Sequence, residues 1–415
     1  MPRKLFVCCV SLVLCLGSLP LFSQQATTKP KLHLQLRNAP PMRHGLDSTS
    51  IAEGLKASTA TSAPNQLPVW NYQVLSTRDG NIYGGNMVGA NPATRGTGAS
   101  VNVPSQIVPV ILKFHTIGVS FNPTTGKIRT RPGDTTFDPT VPDNACLAAP
   151  NNVPVDLLRK SPIFANAKFN FGGTDVGDTQ YTDAFQRANF WSMIDRANYH
   201  VRMAPVRVME PLVIDVPAKS GLALSGSIFG ACSSLGIVDI NLIDQLVVDA
   251  TLTTPGISPK TFPMFMLYNS GMSFGDPTNL GNCCAGGYHG INPVTSIAFQ
   301  TYSPFDFQTN GIFQNADDTV ILSHEAAEWM DDPYDFNPTP AWGHTGQVLG
   351  CQGNLEVGDP LTGNNVAPIV GKNGFTYHFQ ELAFFSWFFG KPSTAIHGWF
   401  SDASTFTTDA GPPCQ

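Results

Sequence analysis

ILSHEAAEWMDDP, residues 321–333, is the stretch on which the reading of this chain turns. Wound on a helix at about 100° per residue, it puts His324 and Glu328 on one face, with Glu325, Asp331 and Asp332 flanking them. Leu322, Ala326, Trp329 and Met330 fall on the opposite side and face inward. A second acidic element, LEVGDP at residues 355–360, follows. Nowhere else in the chain do a His and several carboxylates fall at a spacing that serves chemistry.

Upstream of this helix the sequence is written in strands. VWNYQVLSTRDGNIYGGNMVG (residues 69–89) alternates apolar and polar residues around Asp79-Gly80, a hairpin signal. IVPVILKF (107–114), LVIDVP (212–217), FPMFMLYN (262–269) and TSIAFQTYS (295–303) read as strands, with Pro109 placing the first at an edge or a bulge. Helical spacing appears at 155–160, at 239–250 and at 178–195, where Asp178 stands as N-cap and Tyr181, Phe185, Ala188 and Trp191 form a core-facing stripe. Strands, then the His-Glu helix, then a Gly/Pro-rich acidic loop predict a mixed α+β domain. Its sheet is expected to be largely antiparallel, with the site helix at the sheet edge.

Composition narrows the class. Of 415 residues only 13% are charged, while 38 Gly, 34 Pro and an aromatic share of 10% describe a loop-rich globular protein rather than a disordered one. The formal charge is -6 and no Lys/Arg run occurs past the N-terminus, so a basic nucleic-acid-binding face is excluded. Residues 1–23 carry a positive start at Arg3 and Lys4 followed by an apolar run, the pattern of a signal peptide, and no other apolar run is long enough to span a membrane. Residues 24–66 are rich in Ser, Thr, Ala, Pro and Gln and read as a disordered linker or pro-segment. Residues 67–415 then form one large domain, with 67–150 as a possible β-rich N-terminal part. Export leaves six cysteines, Cys146, Cys232, Cys283, Cys284, Cys351 and Cys414, which predict three disulfides in an oxidising compartment. Cys283 and Cys284 are expected in separate bridges, and Cys351 is paired with Cys414.

The chemistry follows from the donor types. Zn2+ takes imidazole nitrogen and carboxylate oxygen, and a catalytic site keeps one position open for water. His324 and Glu328 supply two ligands from one rigid helix, and Glu356 is the expected third. Glu325 is placed to accept a proton from water, which a metal brings to a pKa of roughly 7. Asp359, and Asp332 with it, are expected to support the ligands from behind. His344, in the Gly-flanked WGHTG loop, is a candidate ligand or transition-state donor, and His289, in GGYHG, a lesser candidate for the same cleft. No serine-hydrolase elbow, P-loop or dinucleotide fingerprint is present.

HEAAE followed by a downstream E-x-x-D resembles the active-site layout of the zincin metallopeptidases, in the branch whose third ligand is Glu. That resemblance implies His324 as first ligand, Glu325 as general base, Glu356 as third ligand and a peptide or protein substrate. The chain departs from the family at Glu328, where the family has His; the resulting carboxylate-rich site is more hospitable to Mn2+, Fe2+ or Ca2+. The last third of the chain also resembles the secreted phosphate-induced (Exordium-like) proteins through His324, Glu325, Glu328, Asp332-Pro333, Trp342, Glu356, Asp359 and Cys414. Two other readings stand beside the hydrolase. The helix can be an ordinary surface helix with an acidic outer face. The carboxylates can hold a structural Ca2+ in a non-catalytic extracellular module that binds a wall polymer.

Overall fold

The computed structural model describes residues 32–39, 42–44, 66–94, 100–342 and 352–395. His344, Cys351 and Cys414 lie outside the described residues, as does the expected signal segment. Among the described residues eleven strands build the main sheet: β1 (Met42–Arg43), β2 (Ser100–Phe121), β3 (Ile128–Phe137), β4 (His200–Val208), β5 (Leu212–Val216), β6 (Gly221–Leu224), β7 (Leu235–Asp239), β8 (Phe262–Tyr268), β9 (Ser270–Ser273), β10 (Gly290–Thr295) and β11 (Ala298–Phe307). Their order is β1-β10-β11-β8-β2-β6-β7-β9, with β3, β4 and β5 also paired to the long β2.

The sheet is mixed, as the sequence leads one to expect, and the directions are distributed. Antiparallel pairing occupies β10–β11, β6–β7 and β2–β3, and every small two-stranded sheet, including the Asp79-Gly80 hairpin of Val69–Leu75 with Ile82–Val88. The ladders that β8 and β2 share with each other and with β11, β4, β5 and β6 are parallel. Parallel neighbours need crossover connections, and here helices cover both faces.

Six helices are described: α1 (Pro154–Lys160), α2 (Tyr181–Asn189), α3 (Trp191–Ile194), α4 (Ile240–Thr253), α5 (Val320–Asp331) and α6 (Ser386–Phe389). Strand β8 shows how the two faces are divided. Phe262, Met264, Met266 and Tyr268 enter the core that holds α2 and α5, while Phe265 and Leu267 enter the core that holds α4. A side-chain period of two with both faces covered explains why FPMFMLY is apolar throughout. Trp329 fastens α5 to this sheet: its ring stacks on Phe262 at a centroid distance of 3.7 Å and its Nε1 donates to Thr301 Oγ1 at 2.9 Å.

Several expectations are corrected. Pro109 lies at neither edge nor bulge but inside β2, which is central; its missing N–H falls where the partner changes from β4, ending at Ile107↔Val208, to β5, starting at Val110↔Leu212. Asp178 caps no helix; it belongs to the strand Thr174–Thr179, and α2 begins after Gln180. The stripe itself packs as expected, with Tyr181 stacked on Phe379 and Phe185 on Phe384. Cys283 and Cys284 are bonded to each other, and Cys146 pairs with Cys232.

Within the stretch expected as a linker, residues 32–39 and 42–44 are laid against the domain. Leu34 N donates to Ile312 O, Arg37 N to Cys284 O, and β1 extends the sheet beside Gly290 and Ile291. His44 Nε2 sits 2.7 Å from Tyr302 Oη and 3.2 Å from Asp244 Oδ2. No described helix is long and apolar enough to cross a membrane.

Candidate metal centre

Helix α5 is not a surface helix. Every residue from Val320 to Asp331 is buried, and the polar face is as enclosed as the apolar one, with His324 7% and Glu328 2% exposed. It is held by the sheet on its Trp329 side and by Gly358, Asp359 and Gln380 on its His-Glu side. The cleft there is lined by His324, Glu325 and Glu328 from α5, His289 from the segment entering β10, Glu356 and Asp359 from the acidic turn, Gln380, and residues 36–39.

The acidic turn is shaped to receive the helix. Gly358 N and Asp359 N both donate to Glu328 Oε1, at 2.9 and 3.0 Å, which leaves Oε2 facing into the cleft. Gly358 must be a glycine: a Cβ there would stand 2.6 Å from His324 Cγ and 2.7 Å from its Nδ1. Gly287, on the His289 side, is confined in the same way, with a Cβ falling 2.9 Å from Glu325 Oε1. LEVGDP is thus a turn running into a single 3-10 turn at Asp359–Leu361, and the amides of Gly358 and Asp359 hold the Glu328 carboxylate.

The orientation of His324 follows from Gln380. Gln380 N donates to Ser323 Oγ and its Nε2 donates to Gly358 O, so that Oε1 is left to face His324 Nδ1 at 3.0 Å. A carbonyl oxygen only accepts, so Nδ1 carries the proton. The opposite nitrogen, Nε2, points at two carboxylates, Glu328 Oε2 at 3.0 Å and Asp359 Oδ1 at 3.5 Å. An imidazole held in one tautomer by a hydrogen bond behind it, with the other nitrogen aimed at carboxylate oxygens, is the arrangement of a metal-ligating His.

His289 is more enclosed still, at 2% exposed. Its Nδ1 lies 3.5 Å from Glu325 Oε2 and 3.7 Å from Glu328 Oε2, and its Nε2 lies 3.9 Å from Glu356 Oε1 with no hydrogen-bond partner. Three groups have donor atoms all within 4.8 Å of one another: His324, Glu328 and Asp359; His289, Glu325 and Glu328; and His289, Asp335 and Glu356. Such mixed nitrogen and oxygen sets suit a divalent cation.

The electrostatics describe a site that needs positive charge. Burial alone would lower both imidazoles, but the surrounding carboxylates win: Glu325 and Glu328 push His289 up to about 9, and Glu328 and Glu325 hold His324 well above its usual value. Burial would raise Glu328, but His324 beside it brings it down to about 2. Burial raises Glu325, and burial followed by Glu328 raises Glu356 and brings Asp359 to about 7.

The expected residues are therefore distributed as follows. His324, Glu325, Glu328, Glu356 and Asp359 converge on one cleft, with Asp359 at His324 and Glu356 at His289. Asp332 stands apart: its two oxygens accept from Phe336 N at 2.7 Å and Asn337 N at 2.9 Å and shape the loop that carries Asp335. Asp331, at the helix end, accepts from Gln186 Nε2. Asp332 is met by protein donors at both oxygens, whereas Asp331 is met at Oδ1 alone and its buried Oδ2 has no hydrogen-bond partner. Gln380 and Asp335 join the site without a sequence signal of their own; Gln380 is remote in sequence and carries no motif, whereas His289 is marked by its flanking glycines. No family model, no curated protein and no solved structure matches this chain.

Proposed function

We propose that this protein is an exported metal-dependent hydrolase acting on peptide bonds. The observation that carries the reading is His324, fixed by Gln380 in the tautomer that turns Nε2 toward Glu328 and Asp359. His324, Glu328 and Asp359 would hold the cation, with Asp359 in the place expected of Glu356, which lies at His289; the zincin-like sequence HEAAE supports the assignment of Glu325 as base. A bound divalent cation supplies Lewis acidity, polarising a carbonyl and a water. Glu325 would accept a proton from the attacking water as the water oxygen adds to the carbonyl carbon. The same carboxyl then returns the proton to the departing amine nitrogen as the C–N bond breaks. Burial raises Glu325, which suits a group that must both accept and release a proton.

Zn2+ is the first choice of cation, and the surplus of carboxylate oxygens makes Mn2+ the second. The same oxygen-rich lining supports a second reading, a Ca2+-stabilised extracellular module without catalysis. Residues 36–39 form one wall of the cleft, which supports reading the stretch before residue 67 as a pro-segment; N-terminal sequencing of the exported protein tests this, and a mature N-terminus ahead of residue 32 would oppose it. The hydrolase reading is tested by metal content and peptide hydrolysis in wild type and Glu325→Gln. The variant should retain its transition metal and lose activity. Wild type that binds only Ca2+, with no hydrolysis, would sink the hydrolase and favour the module.

A further inference from the structure

Of the three groups of donor atoms, two share no residue, and the third, His289 with Glu325 and Glu328, links them. One is His324, Glu328 and Asp359, the metal centre proposed above. The other is His289, Asp335 and Glu356, and within each group the donor atoms lie within 4.8 Å of one another. We propose that the second group is a cation site in its own right, so that the cleft holds two divalent cations side by side. This rests on the reading of the first group as a metal centre.

His289 carries the inference. Its Nδ1 edge faces Glu325 and Glu328, at 3.5 and 3.7 Å, so the ring keeps a proton on that side to donate toward carboxylates that can only accept. The other edge carries Nε2, which lies in a fully enclosed position without any hydrogen-bond partner, 3.9 Å from Glu356 Oε1. A buried polar atom left unmatched costs free energy. A cation that takes the place of any proton on Nε2 satisfies this nitrogen and Glu356 together, and Asp335 supplies the third donor.

Charge points the same way. Glu325, Glu328, Glu356 and Asp359 line the cleft, and Asp335 joins Glu356. One divalent ion held by His324, Glu328 and Asp359 leaves Glu356 and Asp335 without a cation, and a second ion supplies it. Glu328 Oε2 lies 3.0 Å from His324 Nε2 and 3.7 Å from His289 Nδ1, and the Glu328 and Glu356 carboxyls are within hydrogen-bonding reach of each other, so the two groups adjoin. The second group is also built from its own supports. Asp332 shapes the loop bearing Asp335 through Phe336 N and Asn337 N, and Asn354 Nδ2 donates to Glu356 Oε1 at 3.1 Å. The donor set, one imidazole and two carboxylates, suits Zn2+ or Mn2+.

The test is metal stoichiometry on the full chain, stripped with chelator and reloaded with Zn2+ or Mn2+ alone. Wild type should bind about two ions per chain, and Asp335→Asn or His324→Ala about one each. Mn2+-loaded wild type should give an exchange-coupled electron paramagnetic resonance spectrum that becomes mononuclear in Asp335→Asn. Glu356→Gln serves where Asp335→Asn fails to fold. About one ion in wild type, unchanged by Asp335→Asn and Glu356→Gln but lost in His324→Ala, overturns the second site and leaves the first standing. No ion in wild type overturns both.

Discussion

Two histidine–carboxylate groups in this protein are built from the same residue types and differ in their charge balance. At the start of β4, His200 Nδ1 meets Asp183 Oδ2 at 2.7 Å, and Asp183 is completely buried. Its remaining capacity is filled, Oδ1 by Val201 N at 2.6 Å and Oδ2 also by Thr179 Oγ1. One imidazole answers one carboxylate, and backbone or hydroxyl donors complete it. In the cleft two imidazoles face five carboxylates, and Glu356 has only an Asn354 amide besides its neighbours. The first group is a structural clamp that fixes α2 to the sheet. The second is left short of positive charge. Burial and the presence of His and Asp do not distinguish a site from a strut; the count of donors against acceptors does.

That contrast can be broken in graded ways. Glu325→Gln should lower peptide hydrolysis by about 10²–10⁴-fold, the contribution of a positioned base, with metal content intact; an unchanged rate would remove Glu325 from the mechanism. His200→Ala strips a buried carboxylate of its partner and should cost about 3 kcal/mol in denaturant unfolding without altering metal content. Metal loss in that variant would erase the distinction between the two groups. Gln380→Leu should weaken metal binding by about 10–100-fold through loss of the His324 tautomer, with the fold retained by circular dichroism. Gly358→Ala tests the same ring sterically, because its Cβ would fall 2.6 Å from His324 Cγ; reduced metal affinity is expected, and unaltered affinity would mean the turn gives way.

The smallest effect is a pH dependence. His289 is raised to about 9, so its share of stability is full below its ordinary value and lost as pH rises through 9. Asp332 and Asp359 are raised to about 7 by burial first, with Asp335 adding at Asp332 and Glu328 at Asp359; ionising them costs the metal-free fold stability between their ordinary range and 7. Both trends run downward with rising pH, and a bound cation offsets both. The rise in melting temperature on adding metal should therefore be larger at pH 8 than at pH 5, and a pH-independent rise would contradict this electrostatic account.

Much of this is legible in the amino-acid sequence itself. HEAAEWMDDP gives its helix by spacing alone, Trp329 and Met330 fall inward as the periodicity requires, and Glu356 and Asp359 reach the cleft from a turn whose Gly and Pro announce it. What is not legible depends on tertiary placement. Asp331 and Asp332 resemble cation ligands because they stand unfavourably at a helix end, but the amides of Phe336 and Asn337 answer Asp332, and Gln186, 145 residues away, answers Asp331 Oδ1. Pro109 suggests an edge because a missing N–H usually means one, and only the change of partner strand shows why the centre tolerates it. Gln380 orients the key imidazole from 56 residues away and has no pattern to betray it.

The central claim is that His324 and Glu328 hold a divalent cation. It is tested most directly by titrating Zn2+ and Mn2+ into chelator-stripped protein and comparing wild type, His324→Ala and His200→Ala by calorimetry. Binding is expected in wild type and His200→Ala, with loss of that binding step in His324→Ala. Equal binding by all three, or none in wild type, would contradict it.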